Sequence, residues 1–186
     1  MDFLESPQAA FYISSMILSI EYLHSFRVVY RDIKPENIMV NEKGQLRLID
    51  MGTAKVLGTK GEIARTYTIL GTPHYMAPEI LLGKGYGLKV DLWSIGVCLF
   101  EFMCGMVPFG DECEEPYDVY QQVISQKLSF PSYFYVPKNK NAAKMMTQLM
   151  NRSADGRDRN FFLFYLNRRE LWSFEGAPMV RYCGLG

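Results

Sequence analysis

Apolar side chains recur with the period of a helix near the start of the chain. They occupy Ile13, Met16, Ile17, Ile20 and Leu23. This spacing places them on one face of an α-helix. Ser6 followed by Pro7 predicts that the helix begins there, with Ser6 as N-cap and Pro7 in the first turn, and the pattern ends near His24. The sequence therefore predicts one long amphipathic helix in this region.

Four further segments have a helical pattern. They span residues 77–82, 90–104, 117–125 and 141–151. Residues 90–104 are apolar on nearly every side, which is typical of a helix at the centre of a domain. The surrounding apolar stretch is long enough to be weighed as a membrane span, but it contains Glu101, and a carboxylate at mid-bilayer costs about 3 kcal/mol. A buried core helix is therefore favoured.

Short apolar runs between turn residues predict a small β-hairpin. Residues 38–40 and 46–49 flank a turn sequence, as hairpin strands do. A densely charged loop, 31–37, precedes the first strand, and its proline excludes a regular helix. Because the second strand of a hairpin returns to the start of the first, we expect Asp50 to lie beside this loop. A single hairpin in an otherwise helical chain predicts a mainly α fold.

The composition narrows the possible functions. The 186 residues carry 20 basic and 20 acidic side chains and are 48% hydrophobic, which is typical of a folded domain with a full core. A net charge of zero excludes the general phosphate attraction on which nucleic-acid and anionic-membrane binders depend. The four cysteines form no Cys-x-x-Cys pair, and no signal peptide pattern is present. We therefore expect reduced thiols, a cytoplasmic location, no nucleic-acid partner and no membrane span.

Candidate chemistry is concentrated at one end of the predicted hairpin. Asp32, Lys34 and Asn37 lie in the charged loop, and Asp50 returns beside them. Taken one at a time, such residues are typical of caps and turns. Taken together, oxygen ligands beside an ammonium group suit Mg²⁺ and the phosphates that it bridges.

Three motifs then resemble those of eukaryotic protein kinases in order and spacing. Residues 31–37 read Arg-Asp-Ile-Lys-Pro-Glu-Asn, residues 50–52 read Asp-Met-Gly, and residues 77–79 read Ala-Pro-Glu. The resemblance covers residues 3–157. It implies the mainly α C-terminal (large) lobe of the kinase fold, with one small β-hairpin. Tyr30 and the stretch 66–79 are most similar to the cyclic-nucleotide-dependent (AGC-type) serine/threonine kinases, especially the cGMP-dependent protein kinases of protists.

The resemblance implies a role for each residue of the charged cluster, with ATP and Mg²⁺ as cofactors. Asp32 would orient the substrate hydroxyl and accept its proton, and Lys34 would neutralise charge on the transferred phosphoryl group. Asn37 and Asp50 would hold the Mg²⁺ ions. The family therefore implies phosphoryl transfer to a protein.

The same resemblance indicates the class of substrate. The Lys-Pro-Glu-Asn run that contains Lys34, and the Gly-Thr-Pro that contains Thr72, are similar to those of serine/threonine kinases rather than tyrosine kinases. Glu36 and Glu101 match the acidic positions that receive an arginine near the phosphoacceptor. An acid in the apolar helix at 90–104 would be costly unless it reached a cleft or a cation, which also favours a site at Glu101. We therefore expect basic peptide substrates.

The polar stretch 53–72 has no sustained period and predicts a long surface segment of the kind that carries function. Within it, Thr68 aligns with the family's activation-loop phosphosite, although Thr66 is close enough to be an alternative. Arg31 and Lys55 are the cations that the motif predicts for the phosphate.

Three further residues match structural positions of the family. Asp91 is expected to cap the central helix and to hold the backbone of the catalytic loop. Glu79 is expected to pair with Arg157, far along the chain.

The sequence departs from the family pattern in three places. The Gly-rich loop, strand lysine and partner glutamate of the N-terminal lobe would precede Met1, so we expect that lobe to be absent here and the isolated fragment to have little activity. Met51 replaces the usual phenylalanine, and as an apolar residue it is expected to keep its packing. After residue 157 the resemblance ends.

The expected organisation is a partial kinase domain at 1–157 and a divergent segment at 158–186. The divergent segment is an alternative terminus, a mis-read exon or a cover for an apolar patch. The resemblance implies a serine/threonine kinase with protein substrates, and cyclic-nucleotide-binding modules elsewhere in the parent chain. The alternative is an inactive, kinase-like fragment that acts as a binding or regulatory module.

Overall fold

A computed structural model describes residues 3–58, 65–134, 136 and 138–157. The divergent segment 158–186 lies outside the described residues, so its three interpretations stay open. The first helix, α1, spans Ser6–Ser25, one residue beyond the expected end. Its N-cap is Glu5, whose backbone N–H donates to the side-chain oxygen of Gln8 at 3.0 Å. The prediction of Ser6 as N-cap is wrong because the Ser6 hydroxyl instead donates to Asn139, at 2.9 Å.

The other predicted helices are confirmed with small shifts at their ends. They are α2 (Pro78–Leu81), α3 (Val90–Cys104), α4 (Pro116–Ser125) and α5 (Lys140–Leu149). Single 3₁₀ turns occur at Pro35–Asn37, Pro73–Tyr75 and Ala154–Gly156. A proline stands in the first turn of α1, α2 and α4, where its missing N–H costs nothing. The mainly α fold class is thus confirmed.

Helix α3 is the centre of the domain. It packs against α1 on one side and α5 on another, and all but two of its residues are buried. Gly96 permits the close approach of α5, since a Cβ atom there would lie 2.7 Å from the Leu149 side chain. Burial raises the pKa of the Cys98 thiol well above its usual value and that of Cys104 to about 12, so both remain neutral thiols in this core. Among the described helices, none is long and apolar enough to cross a bilayer.

The strands form two small antiparallel sheets. The predicted hairpin is present as β2 (Ile38–Val40) and β3 (Leu46–Leu48), with Met39 opposite Arg47. A second sheet pairs β1 (Val28–Val29) with β4 (Lys55–Val56). This pair was not predicted, because two-residue strands leave no periodic signal. It fixes the backbone on either side of the charged loop and the hairpin.

Candidate active site

Asp91 holds the backbone at the start of the charged loop. It is fully buried in the first turn of α3, and its two carboxylate oxygens accept the backbone N–H groups of Tyr30 and Arg31, each at 2.9 Å. His24 Nε2 lies 2.7 Å from the same carboxylate. The expected contact of Asp91 with the backbone of the charged loop is therefore present. The prediction that Asp91 caps the helix is wrong, because Lys89 is the N-cap and the Asp91 carboxylate is directed to the loop.

Three side chains from two segments surround the Asp32 carboxylate. Asn37 Nδ2 donates to Asp32 Oδ2 at 2.8 Å, and Lys34 Nζ lies 3.1 Å from the same oxygen. The Thr72 hydroxyl donates to Asp32 Oδ1 at 3.1 Å and accepts a hydrogen bond from Lys34 Nζ at 2.8 Å. These donors fix the position and orientation of the carboxylate. The structure thus brings together Asp32, Lys34, Asn37 and Thr72.

The hairpin places Asp50 beside the charged loop. The N–H of Ile49 donates to the Asn37 carbonyl at 3.0 Å, which joins the end of the hairpin to the loop. Asp50 has φ +58°, is exposed, and accepts the Gly52 N–H at 2.9 Å. The Tyr30 hydroxyl donates to the Ile49 carbonyl. Burial, with Asp32, Asp50 and Asp91 nearby, raises the pKa of Tyr30 to about 12, so that hydroxyl stays a donor.

The oxygen atoms that this site offers as metal ligands suit a hard cation. Asn37 uses its side-chain nitrogen for both of its hydrogen bonds to Asp32, so its amide oxygen is the atom that it offers to a metal. The Asp50 carboxylate is exposed, and Lys34 supplies a positive charge beside Asp32. Carboxylate and amide oxygens are the ligands that Mg²⁺ prefers, and an ammonium group suits the phosphates bound with it.

A second acidic site lies at one edge of α3. The Tyr75 hydroxyl donates to Glu101 Oε2 at 2.7 Å. Burial raises the pKa of Glu101, against the effect of this hydrogen bond, and neighbouring Glu36 raises it further. The two acids predicted from sequence therefore lie close enough to interact. A cation placed between them would relieve the cost of keeping both ionised.

The two threonines that are candidates for phosphorylation differ in their exposure to solvent. Thr68 is exposed, whereas Thr66 is only 2% exposed. Lys55 Nζ donates to the Thr66 hydroxyl at 3.1 Å, and Arg31 Nε donates to the Thr53 carbonyl. Both predicted cations thus have partners other than Thr68 in this state of the protein.

The predicted ion pair between distant parts of the chain is present. Arg157 Nη1 and Nη2 donate to the two carboxylate oxygens of Glu79 at 2.7 and 2.8 Å. Arg157 is 1% exposed, also donates to the carbonyls of Asn151 and Lys89, and stacks 5.1 Å from the ring centroid of Trp93. Glu79 therefore joins α2 to the end of the described domain.

Met51 is less enclosed than its apolar character led us to expect. It is 48% exposed and lines a surface groove of about 440 Å³ with Tyr22 and Leu48. Its contacts therefore leave about half of the side chain to solvent.

Several residues of the site were not identified from the sequence. Tyr75 and His24 were missed as partners of Glu101 and Asp91, because both contacts join distant segments. The sequence signal for Tyr75 was its position in the stretch 66–79, between Thr72 and Glu79, two residues that the motifs had singled out. His74, whose ring nitrogen lies 3.0 Å from the Gly110 carbonyl, joins the same loop to the turn before α4.

Comparison with known proteins agrees with this geometry. The profile of the protein kinase domain matches residues 1–159. The chain is 46% identical over 154 residues, 83% of its length, to a cGMP-dependent protein kinase of Plasmodium berghei. It is 43% identical over 126 residues (68% of the chain, 34% of the relative) to the cAMP-dependent protein kinase catalytic subunit PRKX of Mus musculus. It is also 43% identical over 150 residues (81% of the chain, 23% of the relative) to the serine/threonine protein kinase ypkA of Aspergillus fumigatus.

The matched regions are small parts of the cGMP-dependent relatives. The chain spans 17% of the Plasmodium berghei protein and 14% of its Toxoplasma gondii and Eimeria tenella counterparts. The match nevertheless includes the charged loop, the hairpin and the ion pair that closes the domain. The chain therefore belongs to the protein kinase domain family.

Proposed function

We propose that the chain is the large-lobe part of an ATP-dependent serine/threonine protein kinase similar to the cGMP-dependent enzymes. The observation that carries this proposal is the hydrogen-bonded group of Asp32, Lys34, Asn37 and Thr72, in which the other three side chains hold the Asp32 carboxylate. Residues 1–157 form the kinase unit in this proposal, and 158–186 are a separate segment. The nucleotide-binding N-terminal lobe and any cyclic-nucleotide-binding modules belong to the parent protein.

In this proposal, Asp32 positions the substrate hydroxyl and takes its proton. Its Oδ2 is held by Asn37 and Lys34, and its Oδ1 by Thr72, so the carboxylate cannot rotate away from an incoming hydroxyl without losing these bonds. The backbone beneath it is fixed by the buried Asp91. Such positioning supplies much of the acceleration in phosphoryl transfer, because the reaction needs little covalent chemistry from the protein.

The other residues of the site interact with the metal ion and with the negative charge of the phosphate groups. ATP with Mg²⁺ supplies the phosphoryl group, and Asn37 and Asp50 are the residues that would hold the metal. Lys34 stands beside the proposed base and neutralises negative charge as the phosphoryl group approaches the substrate oxygen. Thr72 belongs to the loop that leads into α2, and its hydroxyl joins that loop to the site where we expect the substrate to bind.

Substrate selection is assigned to Glu36 and Glu101. Glu36 is exposed one residue before Asn37, and Glu101 is half-buried with its carboxylate fixed by Tyr75. An arginine fork bound by two carboxylates makes charge-assisted hydrogen bonds with strong geometric preference. We therefore expect substrates with arginine near the phosphoacceptor.

The Glu101→Gln variant should distinguish the effect of Glu101 on the stability of the domain from its effect on the binding of an arginine peptide. A glutamine oxygen can still accept the Tyr75 hydrogen bond, but the buried charge is gone. Because the folded-state pKa of Glu101 is raised, its contribution to stability is present at acidic pH and is lost as pH rises through that pKa. The variant should therefore gain stability relative to the native protein between acidic and neutral pH, while its affinity for an arginine peptide falls about tenfold or more.

Urea unfolding at several pH values and fluorescence anisotropy with a labelled arginine peptide measure the two effects. Glu112→Gln, an exposed acid on the turn before α4, is the matched control and should change neither. An unchanged peptide affinity in Glu101→Gln would contradict the assignment of this residue to substrate binding.

Nucleotide binding by a chimera, in which the chain follows the N-terminal lobe of a matched relative, tests the proposed function. If a competent site is present, ATP with Mg²⁺ at about 100 times its dissociation constant adds about 2.7 kcal/mol to the free energy of unfolding. A thermal shift is expected for the chimera with the native chain and should be lost in the chimera with Asp50→Ala, whose exposed side chain is removed without opening the core. The same absence of a shift in both proteins would favour a non-catalytic binding or regulatory module.

A further inference from the structure

The turn formed by residues 72–75, which we call the substrate turn, is fixed at both of its ends. The hydroxyl of its first residue donates to Asp32, and the hydroxyl of its last residue, Tyr75, donates to Glu101 Oε2 at 2.7 Å. The Tyr75 carbonyl also accepts the hydroxyl of Ser94, on α3, at 2.7 Å. The substrate turn therefore joins the proposed base to one of the two acids assigned to arginine binding.

His74 attaches the middle of the substrate turn to a different part of the domain. Its Nε2 atom lies 3.0 Å from the carbonyl oxygen of Gly110, in the turn before α4. Because a carbonyl oxygen only accepts hydrogen bonds, the ring nitrogen that faces it carries a proton and donates. The His74 side chain is half-buried, so this bond is partly shielded from water.

The Gly110 carbonyl is an acceptor with a fixed position. The Gly110 N–H donates to Gln122 Oε1, on α4, at 2.9 Å, and the carbonyl also accepts the Cys113 N–H at 3.0 Å. Gly110 has φ +74°, and a Cβ atom there would lie 3.0 Å from the Val119 side chain. The backbone of this residue is thus held against α4, and the hydrogen bond from His74 ties the substrate turn to it.

His74 also contributes to the electrostatic environment of Glu101. Burial raises the pKa of Glu101, and the hydrogen bond from Tyr75 lowers it. Of the charges nearby, Glu36 and Asp111 raise this pKa and His74 lowers it. Both residues that lower it belong to the substrate turn. They favour the ionised carboxylate, which is the form that binds a guanidinium group.

We propose that His74 is a positioning residue for arginine recognition, and that it acts through Tyr75 and Glu101. By tying the substrate turn to the Gly110 carbonyl, it sets the direction of the Tyr75 hydroxyl and thereby the orientation of the Glu101 carboxylate. An arginine fork needs a carboxylate held in this way, because its paired hydrogen bonds have a strict geometry. The inference rests on the proposed assignment of Glu101 to substrate binding.

The test measures the preference for arginine rather than affinity alone. Fluorescence anisotropy with the 186-residue chain gives the dissociation constants of two labelled serine peptides, one with arginine near the serine and one with alanine in its place. The ratio of the two constants is the arginine preference. A general loss of stability weakens the binding of both peptides and leaves this ratio unchanged.

Two substitutions of His74 differ in whether they keep the donor. His74→Phe keeps a ring but removes the N–H, and we expect it to lower the arginine preference by about threefold to tenfold, the effect of one hydrogen bond. His74→Gln supplies an amide N–H in its place and should stay within about twofold of the native preference. A native preference in His74→Phe would overturn the proposal.

A double substitution determines whether His74 acts through Glu101. In the Glu101→Gln background, His74→Phe should change the arginine preference by less than about twofold, because the group through which it acts is already gone. An equal effect of His74→Phe with and without Glu101 would contradict this route.

Gln122→Met tests the same link from the other side, and it decides the question if thermal unfolding shows that His74→Phe does not fold. It removes the acceptor of the Gly110 N–H and leaves His74 in place, so the arginine preference should fall by about twofold or more. Gln121→Met, the same exchange at an exposed position of α4, is the matched control. Equal preferences in the two variants would refute the link.

The outcomes distinguish this inference from the proposed function on which it rests. If Glu101→Gln keeps the native arginine preference, the assignment of Glu101 to substrate binding fails, and the role of His74 fails with it. If Glu101→Gln loses the preference while His74→Phe and Gln122→Met keep it, only the role of His74 is refuted.

Discussion

Replacing Arg157 with alanine is expected to unfold much of the domain. The guanidinium is buried, donates to both oxygens of Glu79 and to the carbonyls of Asn151 and Lys89, and lies on the Trp93 ring. Its removal leaves a carboxylate whose side chain is only 15% exposed without its partner. Breaking one side of such a pair costs about 3–5 kcal/mol, which is a large share of the roughly 5–15 kcal/mol that stabilises a domain.

Urea unfolding of the native chain and of Arg157→Ala measures this loss as a shift in the midpoint. Asp155→Ala is the control, because the Asp155 side chain is fully exposed and its contact with Lys89 at 3.2 Å is a surface ion pair. Arg157→Lys keeps the charge without the paired hydrogen bonds and should lie between the two. A midpoint for Arg157→Ala equal to that of Asp155→Ala would show that the Glu79 pair contributes nothing to folding.

The elements that the sequence predicted well are those with a strong local signal. Helix α3 was placed at its observed ends because a long apolar run is bounded by glycine and charged residues. The hairpin was located because two apolar runs flank a turn sequence. From the hairpin alone, the proximity of Asp50 to Asp32 and Asn37 could be predicted, and the hydrogen bond from the Ile49 N–H to the Asn37 carbonyl reflects it.

The features that were missed depend on contacts between distant segments. The pairing of Val28–Val29 with Lys55–Val56 joins strands too short to have a period. The bond from Tyr75 to Glu101 and the contact of His24 with Asp91 depend on how loops and helices pack around α3, which one sequence does not reveal. The burial that distinguishes Thr66 from Thr68 likewise arises from an antiparallel bridge between Thr66 and Tyr86. Motif resemblance identified the charged residues, but only tertiary structure shows what holds them.

Asp32→Asn is expected to cause the largest loss of activity of any single substitution in the proposed site. The variant is nearly isosteric, but an amide is a poor proton acceptor. Its NH₂ group would also face hydrogen-bond donors, because Asn37 and Lys34 donate to one oxygen of the native carboxylate and Thr72 donates to the other. Loss of a positioned general base lowers kcat by about 10²–10⁴-fold. Nucleotide affinity should change little, because the metal ligands proposed here are Asn37 and Asp50.

The assay uses a chimera in which the chain follows the N-terminal lobe of a matched relative, with an arginine-containing serine peptide as substrate. The kcat and the KM for ATP are measured separately, so that a loss confined to kcat identifies an effect on the chemical step. Asn41→Asp, an exchange of the same size in the exposed hairpin turn, is the control for a changed charge and should retain near-native activity. If Asp32→Asn retains more than about one tenth of the native kcat, the proposed base is misassigned, since even a modest general-base contribution exceeds that factor. If the same variant still binds nucleotide, the assignment of Asn37 and Asp50 as metal ligands is unaffected, because metal binding depends on different atoms of the site.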